Sequence, residues 1–418
     1  VIKTKTDIAV IGAGAAGCFC AIELKRLHPG LSVSLFEAGK VPMAKLALTG
    51  GGRCNLTNSF AGVRNLSEVY PRGERLMKRA LKEFSPEDTM RWFEREGVKL
   101  VVQEDGCVFP QSQDAMQIVR VLEGLIHRLG IELECNKKVI AISPLSCEGD
   151  PKSGFCIEFS DGAMVEANKI VFTIGGCSAL SLEKILPQGI EIVPTVPSLY
   201  TFKIADDGLR ALMGAVAPRV SLTISGTSFR SEGILLITDW GVSGPATLRL
   251  SSYAARYLAE REYKAGLVVN WLSISETQAR ATLAGLATAS PNKFIANTPP
   301  EGIPERLWKH LVRRCGLRDD LRWAELGSKG FNRLVGRLTA DEYRIDGRAR
   351  FKEEFVTCGG VALSGIDLQT QQSKLYPGLY FAGEVLDVDA VTGGFNLQAA
   401  WSMGWRVARK TVAYEEKL

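Results

Sequence analysis

Histidine is scarce in this chain. Three occur in 418 residues, His28, His127 and His310, spread far apart, which excludes a His-rich metal centre. The ten cysteines form no C-x-x-C or C-x4-C pair, and the closest two, Cys18 and Cys20, stand one residue apart. That spacing excludes zinc ribbons and a dithiol redox pair. Unpaired cysteines in so long a chain point to the reducing cytoplasm. No segment reaches the roughly 18 apolar residues that a membrane span needs. The longest early uncharged run, residues 8–22, follows Lys3 and Lys5 as in a signal peptide, yet its glycines suit a nucleotide-binding turn better. Charge of one sign is also in short supply: a net of +5 is too mild to require a nucleic-acid partner.

The composition that remains is ordinary for a soluble globular protein, with 46% apolar and 23% charged residues, 42 Gly and 17 Pro. At about 150 residues per domain the length suggests two or three domains. Residues 7–11 read as a buried strand, followed by Gly12-Ala13-Gly14-Ala15-Ala16-Gly17 and an Ala/Leu-rich helix to Leu27. A second strand, 33–36, ends at Glu37 and completes a β-α-β unit. Ser85-Pro86-Glu87-Asp88 signals a capped helix that stops at Gly97. Ser112 is expected to open another, with Met116, Val119, Leu122, Ile126 and Leu129 on one face. Strands follow at 132–135, 139–142, 155–159, 164–167 and 170–172, with an Asp161-Gly162 hairpin turn. Strands at 220–224, 234–238 and 267–271 and helices at 275–288, 304–315 and 328–338 give a β module with helices set on it. From Tyr376 the β pattern returns through residues 378–383, and a helix over 395–412 closes the chain.

The glycine turn is the strongest local signal. Gly12 permits the tight turn, Gly14 lets a diphosphate approach the backbone, and Gly17 lets helix and strand pack closely. The helix N-terminus supplies free N–H groups and the positive dipole end. Glu37, at the end of the second strand, can accept hydrogen bonds from an adenosine ribose and would repel a 2′-phosphate. The motif alone does not separate NAD from FAD. Residues 45–58, with Gly50-Gly51-Gly52-Arg53-Cys54-Asn55, offer an open backbone beside one fixed charge and two amides, which suits a diphosphate or a flavin edge. Near the C-terminus Glu384 or Asp387 can bond a polyol, and Gly393-Gly394 opens the last helix, whose N-terminus could stabilise charge on a reduced flavin.

These motifs together resemble the bacterial YhiN-like (BaiN-type) NAD(P)/FAD-dependent oxidoreductases over nearly the whole chain. The runs G-G-G-R-C-N-x-T-N and G-E-x-x-D-x-D-x-x-T-G-G-F-N carry the resemblance, with Gly106-Cys107-Val108-Phe109-Pro110 and residues 238–245 in the same order. It implies an α/β fold: a Rossmann-like FAD-binding domain of two chain segments, 1–193 and 356–418. An inserted β-barrel-like module, 194–273 and 339–355, would carry a small helical cap, 274–338. FAD would contact the Gly12–Gly17 turn, Glu37, Ala38, Lys45, Gly51, Gly52, Arg53, Cys54, Asn55, the backbone at Val139, and Gly175. It would also contact Gly383, Glu384, Asp387, Asp389, Gly393, Gly394, Phe395, Asn396 and Leu397. Four positions depart from the family pattern: Cys107 where Arg is expected, Asp239 where His is, and Thr173 and Ile174 in place of Ala-Thr.

The expected activity is a flavin-N5 hydride exchange with a small organic substrate, driven by NAD(P)H and reducing a conjugated double bond. No second G-x-G-x-x-G follows a strand, so a nicotinamide donor would dock transiently. The same absence suits an oxidase of a small amine or amino-ketone using dioxygen. A third reading is a flavin-binding RNA-modification or regulatory protein, because residues 305–354 hold 13 Lys/Arg against 9 Asp/Glu. No catalytic residue is assigned; Asp389, Asp239 and Tyr200 are the candidates for an acid. Cys54, with no resolving cysteine near it in sequence, reads as a packing residue.

Overall fold

The computed structural model describes residues 3–145, 154–349 and 356–412. The chain divides into two compact units, Val1–Thr195 with Val356–Leu418, and Val196–Phe355.

A seven-stranded sheet is the frame of the first unit. The strand Lys3–Ile11 lies in the middle, parallel to Val33–Phe36 on one side and to Met164–Phe172 on the other. Met164–Phe172 is continuous where the sequence suggests two strands. Its first half pairs antiparallel with Phe155–Phe159 and its last three residues pair parallel with Leu379–Phe381. The C-terminal segment thereby enters the same sheet as the glycine turn. Strands that carry apolar residues on both faces are expected in a covered parallel sheet, and Ile8 to Ile11 are all nearly inaccessible.

The helix Ala15–Leu27 packs on the C-terminal helix Phe395–Val412. Their crossing is close because Gly404 has no Cβ: one placed there would come 2.8 Å from the Ala16 carbonyl. Phe19, Trp92, Phe93 and Trp401 form an aromatic cluster beside it, with ring centroids 4.7 to 5.4 Å apart for Phe19 with Trp92 and with Trp401. The helix Pro86–Arg95 starts on the Ser85/Asp88 capping box. The helix Ala115–Arg128 is capped by Asp114, which accepts from Met116 N–H, and not by Ser112. Its buried face runs through Ile118, Val119, Leu122, Leu125 and Ile126, while Met116 is exposed.

The second unit is built on a closed six-stranded barrel. Its order is Phe202–Ile204, Gly241–Ser243, Arg230–Ile237, Val216–Ile224, Lys264–Asn270 and Asp341–Arg348, the last pairing back on the first. The helices Glu276–Ala289, Glu305–Arg314 and Gly327–Thr339 share the apolar core of the barrel: Leu283, Trp308 and Leu334 bury with Val220, Leu267 and Ile345. Among the described residues no helix is long and apolar enough to cross a membrane.

Candidate functional site

The glycine turn sits between the central strand and the first helix. Gly12 has φ +102°, and a Cβ on it would lie 2.6 Å from the Thr173 carbonyl; one on Gly17 would lie 1.9 Å from the Gly12 carbonyl. Both positions therefore demand glycine for close approach. Gly14 differs. Nothing lies within 4 Å of a Cβ built there, and as N-cap it makes no side-chain cap bond, so the first turn of the helix is left open. A diphosphate fits that arrangement, facing backbone N–H groups and the positive dipole end. Thr173, marked in the sequence only as a departure from the family pattern, braces the turn by donating its hydroxyl to the Gly12 carbonyl at 2.9 Å.

Glu37 is tied to this turn. Its carboxylate accepts the Ala13 N–H at 3.0 Å and the Gly39 N–H at 2.7 Å. Ala38 beside it is exposed. The chain before Val139 runs alongside, with Lys137 N–H donating to the Glu37 carbonyl at 2.8 Å. A carboxylate held this way still has lone pairs for a ribose hydroxyl.

Residues 45–58 are more ordered than an open loop. The helix Ala44–Gly52 breaks at Thr49, and Gly50 and Gly51 turn left-handed, which only glycine adopts without strain. Lys45 on it is exposed. Arg53 lies over the Phe109 ring at 4.6 Å and donates to the Gly50 carbonyl. Nothing lies within 4 Å of a Cβ built on Gly51 or Gly52. Cys54 is fully buried, and burial pushes its thiol up to about 12, so it is no redox thiolate.

The C-terminal segment meets this one directly. Asn58 donates to the Gly393 carbonyl at 3.0 Å, and Asn55, with its amide oriented to satisfy both partners, accepts from Gly394 N–H. Trp401 donates to the Leu56 carbonyl and Tyr70 to the Phe395 carbonyl, each at 2.9 Å. Asn396 closes the loop on itself, pairing both amide atoms with the Ala390 backbone. Leu397 is half-buried. Gly383 faces the first helix, where a Cβ would lie 3.0 Å from that of Ala16. Glu384 accepts the Thr357 N–H at 2.6 Å and lies by Gly175 and Gly176. Burial raises its pKa above the usual carboxylate value, opposed by the charge of Lys45 and by the Thr357 N–H.

Two of the anticipated carboxylates have different fates. Asp387 is half-buried, and its N–H donates to the Val361 carbonyl. Asp389 is fully buried and held by the Arg72 guanidinium through both oxygens, so it is an ion-pair partner and no proton donor. Arg72 lies 317 residues away in sequence, with no local signal for the pairing. Tyr200 is buried in the second unit against Phe202 and Tyr263. Asp239, in the turn before Gly241–Ser243, is exposed. Cys107 is buried in the strand Cys107–Pro110. His127 is exposed on its helix, and burial together with Arg314 holds His310 below the ordinary imidazole value.

A Rossmann-type turn, a braced carboxylate, and a glycine-rich segment stitched to the start of a last helix define a flavoprotein oxidoreductase with a FAD-binding domain. The chain belongs to the HI0933-like family: the family model described as HI0933-like protein Rossmann domain matches residues 6–410. It is 30% identical over 417 residues to a ribosomal RNA dihydrouridine synthase of Escherichia coli (strain K12), covering 97% of this chain and 98% of that one. It is 26% identical to the 3-dehydro-bile acid delta(4,6)-reductase of Clostridium scindens, covering 96% and 98%. Among solved structures, the 3-ketosteroid delta1-dehydrogenase of Sterolibacterium denitrificans shares the fold at TM-score 0.50 and 13% identity, over 99% of this chain and 100% of that one.

Proposed function

We propose that this protein reduces a carbon–carbon double bond conjugated to a carbonyl, and that its substrate is a uracil base in RNA. The observation that carries the reading is the pair of full-length likenesses. One relative is named for making dihydrouridine and the other for reducing a delta(4,6) unsaturation in a 3-dehydro bile acid. Dihydrouridine is uridine saturated at the bond conjugated with a ring carbonyl, so both names describe one kind of reduction. The higher identity, to the RNA enzyme, favours uracil over a steroid.

When bound, FAD supplies the hydride. The residues described above would hold it. Gly12 and Gly17 set the turn, the open first helical turn at Gly14 would receive the diphosphate, and Glu37 would receive the ribose. The start of the last helix, held by Asn55 and Asn58, would offer backbone N–H groups and a positive dipole end to negative charge on a reduced flavin. A nicotinamide nucleotide is the proposed electron donor.

The test is anaerobic. FAD-loaded protein is reduced with NADH or NADPH and mixed with a ribosomal RNA transcript, and the digested nucleosides are weighed. The expected result is return of the oxidised flavin spectrum with uridine gaining a pair of hydrogens. A reduced flavin that ignores RNA, while an amine bleaches the oxidised protein, would replace this reading with the oxidase.

A further inference from the structure

The basic excess of residues 305–354 separates into paired and unpaired parts. Lys309 is matched by Glu305 at 2.6 Å, Arg313 by Asp319 at 2.6 Å and Arg318 by Asp320 at 3.3 Å. These exposed pairs leave little net field at the surface.

Three arginines are arranged differently. Arg314, Arg333 and Arg337 line one solvent-open cavity of about 650 Å³, together with Gly316, Gly336 and Ala340. Helical spacing explains the stripe. Positions 333, 336, 337 and 340 fall on one face along Gly327–Thr339 and its C-cap, whereas Leu334, Val335 and Leu338 turn into the core. Gly336 and Ala340 add almost no side-chain volume, so the space beside the arginines stays open.

Two of the guanidiniums are held from behind. Arg314 stacks over the Tyr343 ring at 4.3 Å and donates to Asp206 at 2.6 Å and to the Glu342 carbonyl at 3.1 Å. Arg337 donates to Asp341 at 2.5 Å, and the other oxygen of that fully buried carboxylate takes the Trp271 N–H at 2.9 Å. Neither Asp206 nor Asp341 lines the cavity, and Glu342 is the one carboxylate that does. No carboxylate among the described residues pairs with Arg333, which is exposed. Oriented guanidiniums are suited to phosphate oxygens, which they bind in bidentate fashion, and Arg333 is the exposed arginine of this lining.

We propose that the cavity lined by Arg314, Arg333 and Arg337 binds a backbone phosphate of the RNA substrate. This rests on the RNA reading above and adds to it a contact on the barrel unit. The same phosphate chemistry could be presented by the 2′-phosphate of NADPH, and the experiment separates the two.

The experiment uses the full FAD-loaded chain and a labelled single-stranded fragment of ribosomal RNA, with affinity measured across a salt series. Variants are Arg333→Glu, Arg333→Lys and, as an exposed paired control, Arg318→Glu. Flavin content and melting temperature check folding. Arg333→Glu is expected to weaken binding about tenfold and flatten the salt slope by about 0.7, the share of one single-strand phosphate. Arg333→Lys should keep most of the affinity and Arg318→Glu should match the wild type. Affinity and slope unaltered in Arg333→Glu, with salt-sensitive binding by the wild type, would overturn the phosphate contact and leave the RNA reading standing. A raised KM for NADPH with RNA affinity intact would assign the cavity to the nucleotide and overturn the proposal. A wild-type protein with no RNA binding at low salt would overturn the RNA reading beneath it.

Discussion

Asn58 and Gly393 stand 335 residues apart in sequence, yet the Asn58 amide donates to the Gly393 carbonyl at 3.0 Å. The same side chain accepts the Phe60 N–H at 2.9 Å, so it shapes its own turn while gripping the loop that opens the last helix. Two motifs far apart in the chain thus meet at one edge of the proposed cofactor site.

Removing that grip should loosen the edge. Asn58→Ala leaves a donor and an acceptor unmatched at a buried position, which costs about 2 kcal/mol. The expected outcome is a lower urea midpoint and partial loss of flavin on gel filtration. Unchanged flavin content with an unchanged midpoint would mean the contact is incidental.

Gly14 and Gly17 should separate binding from folding. Gly17→Ala forces a Cβ into the Gly12 carbonyl and should cost about 3 kcal/mol or more, seen as a lower melting temperature. Gly14→Ala meets nothing within 4 Å and has negative φ, so the apoprotein should fold within about 1 kcal/mol of the wild type. Yet its methyl intrudes where the diphosphate must approach. Titration of each apoprotein with FAD should show affinity falling for both, with stability falling for one.

Asp389 and Arg72 should behave as a buried pair. Their side chains are 0% and 11% exposed, so Asp389→Asn leaves a guanidinium in poor solvent and should cost about 3 kcal/mol. Chemical denaturation measures this directly. A loss of turnover without loss of stability would instead return Asp389 to a role in proton transfer.

Glu384 sets a pH dependence. Burial raises its pKa in the folded protein above the ordinary value of 4.5, so below that value both states are protonated and the residue is neutral to stability. As pH rises through 4.5 towards the folded value, the unfolded chain ionises first and stability falls. Glu384→Gln removes that penalty and can still accept the Thr357 N–H. Its melting temperature should match the wild type in acid and exceed it at neutral pH, measured on apoprotein across the range.

Cys54 should be silent. With its thiol pushed up to about 12 by burial, it stays protonated near pH 8 and out of reach of a disulfide reagent. Peptide mapping after brief labelling should find Cys54 modified only in urea. Fast labelling in the native protein would restore a redox role.

The glycine turn, the second strand ending at Glu37 and the helices Pro86–Arg95 and Phe395–Val412 were legible because each depends on local backbone geometry. A capping box or a G-x-G-x-x-G turn acts within a few residues, and its physics is written in those residues. From its own residues the barrel was legible only as β-rich, and the family resemblance supplied the barrel-like form. Its strands Phe202–Ile204 and Gly241–Ser243 have three residues each, too few to show a period, and only pairing across the closure defines them. The misplaced cap at Ser112 has a simpler cause, since Asp114 two residues on offers an equally good acceptor.

The sequence by itself pointed away from a His-rich metal centre and a dithiol pair and showed a dinucleotide turn, since composition and short-range spacing carry both. Tertiary structure alone decided which polar groups remain open. Asp389 is consumed by Arg72, while Arg333 has no carboxylate partner among the described residues and Gly14 stays uncovered, because burial and charge pairing depend on residues the chain brings from hundreds of positions away.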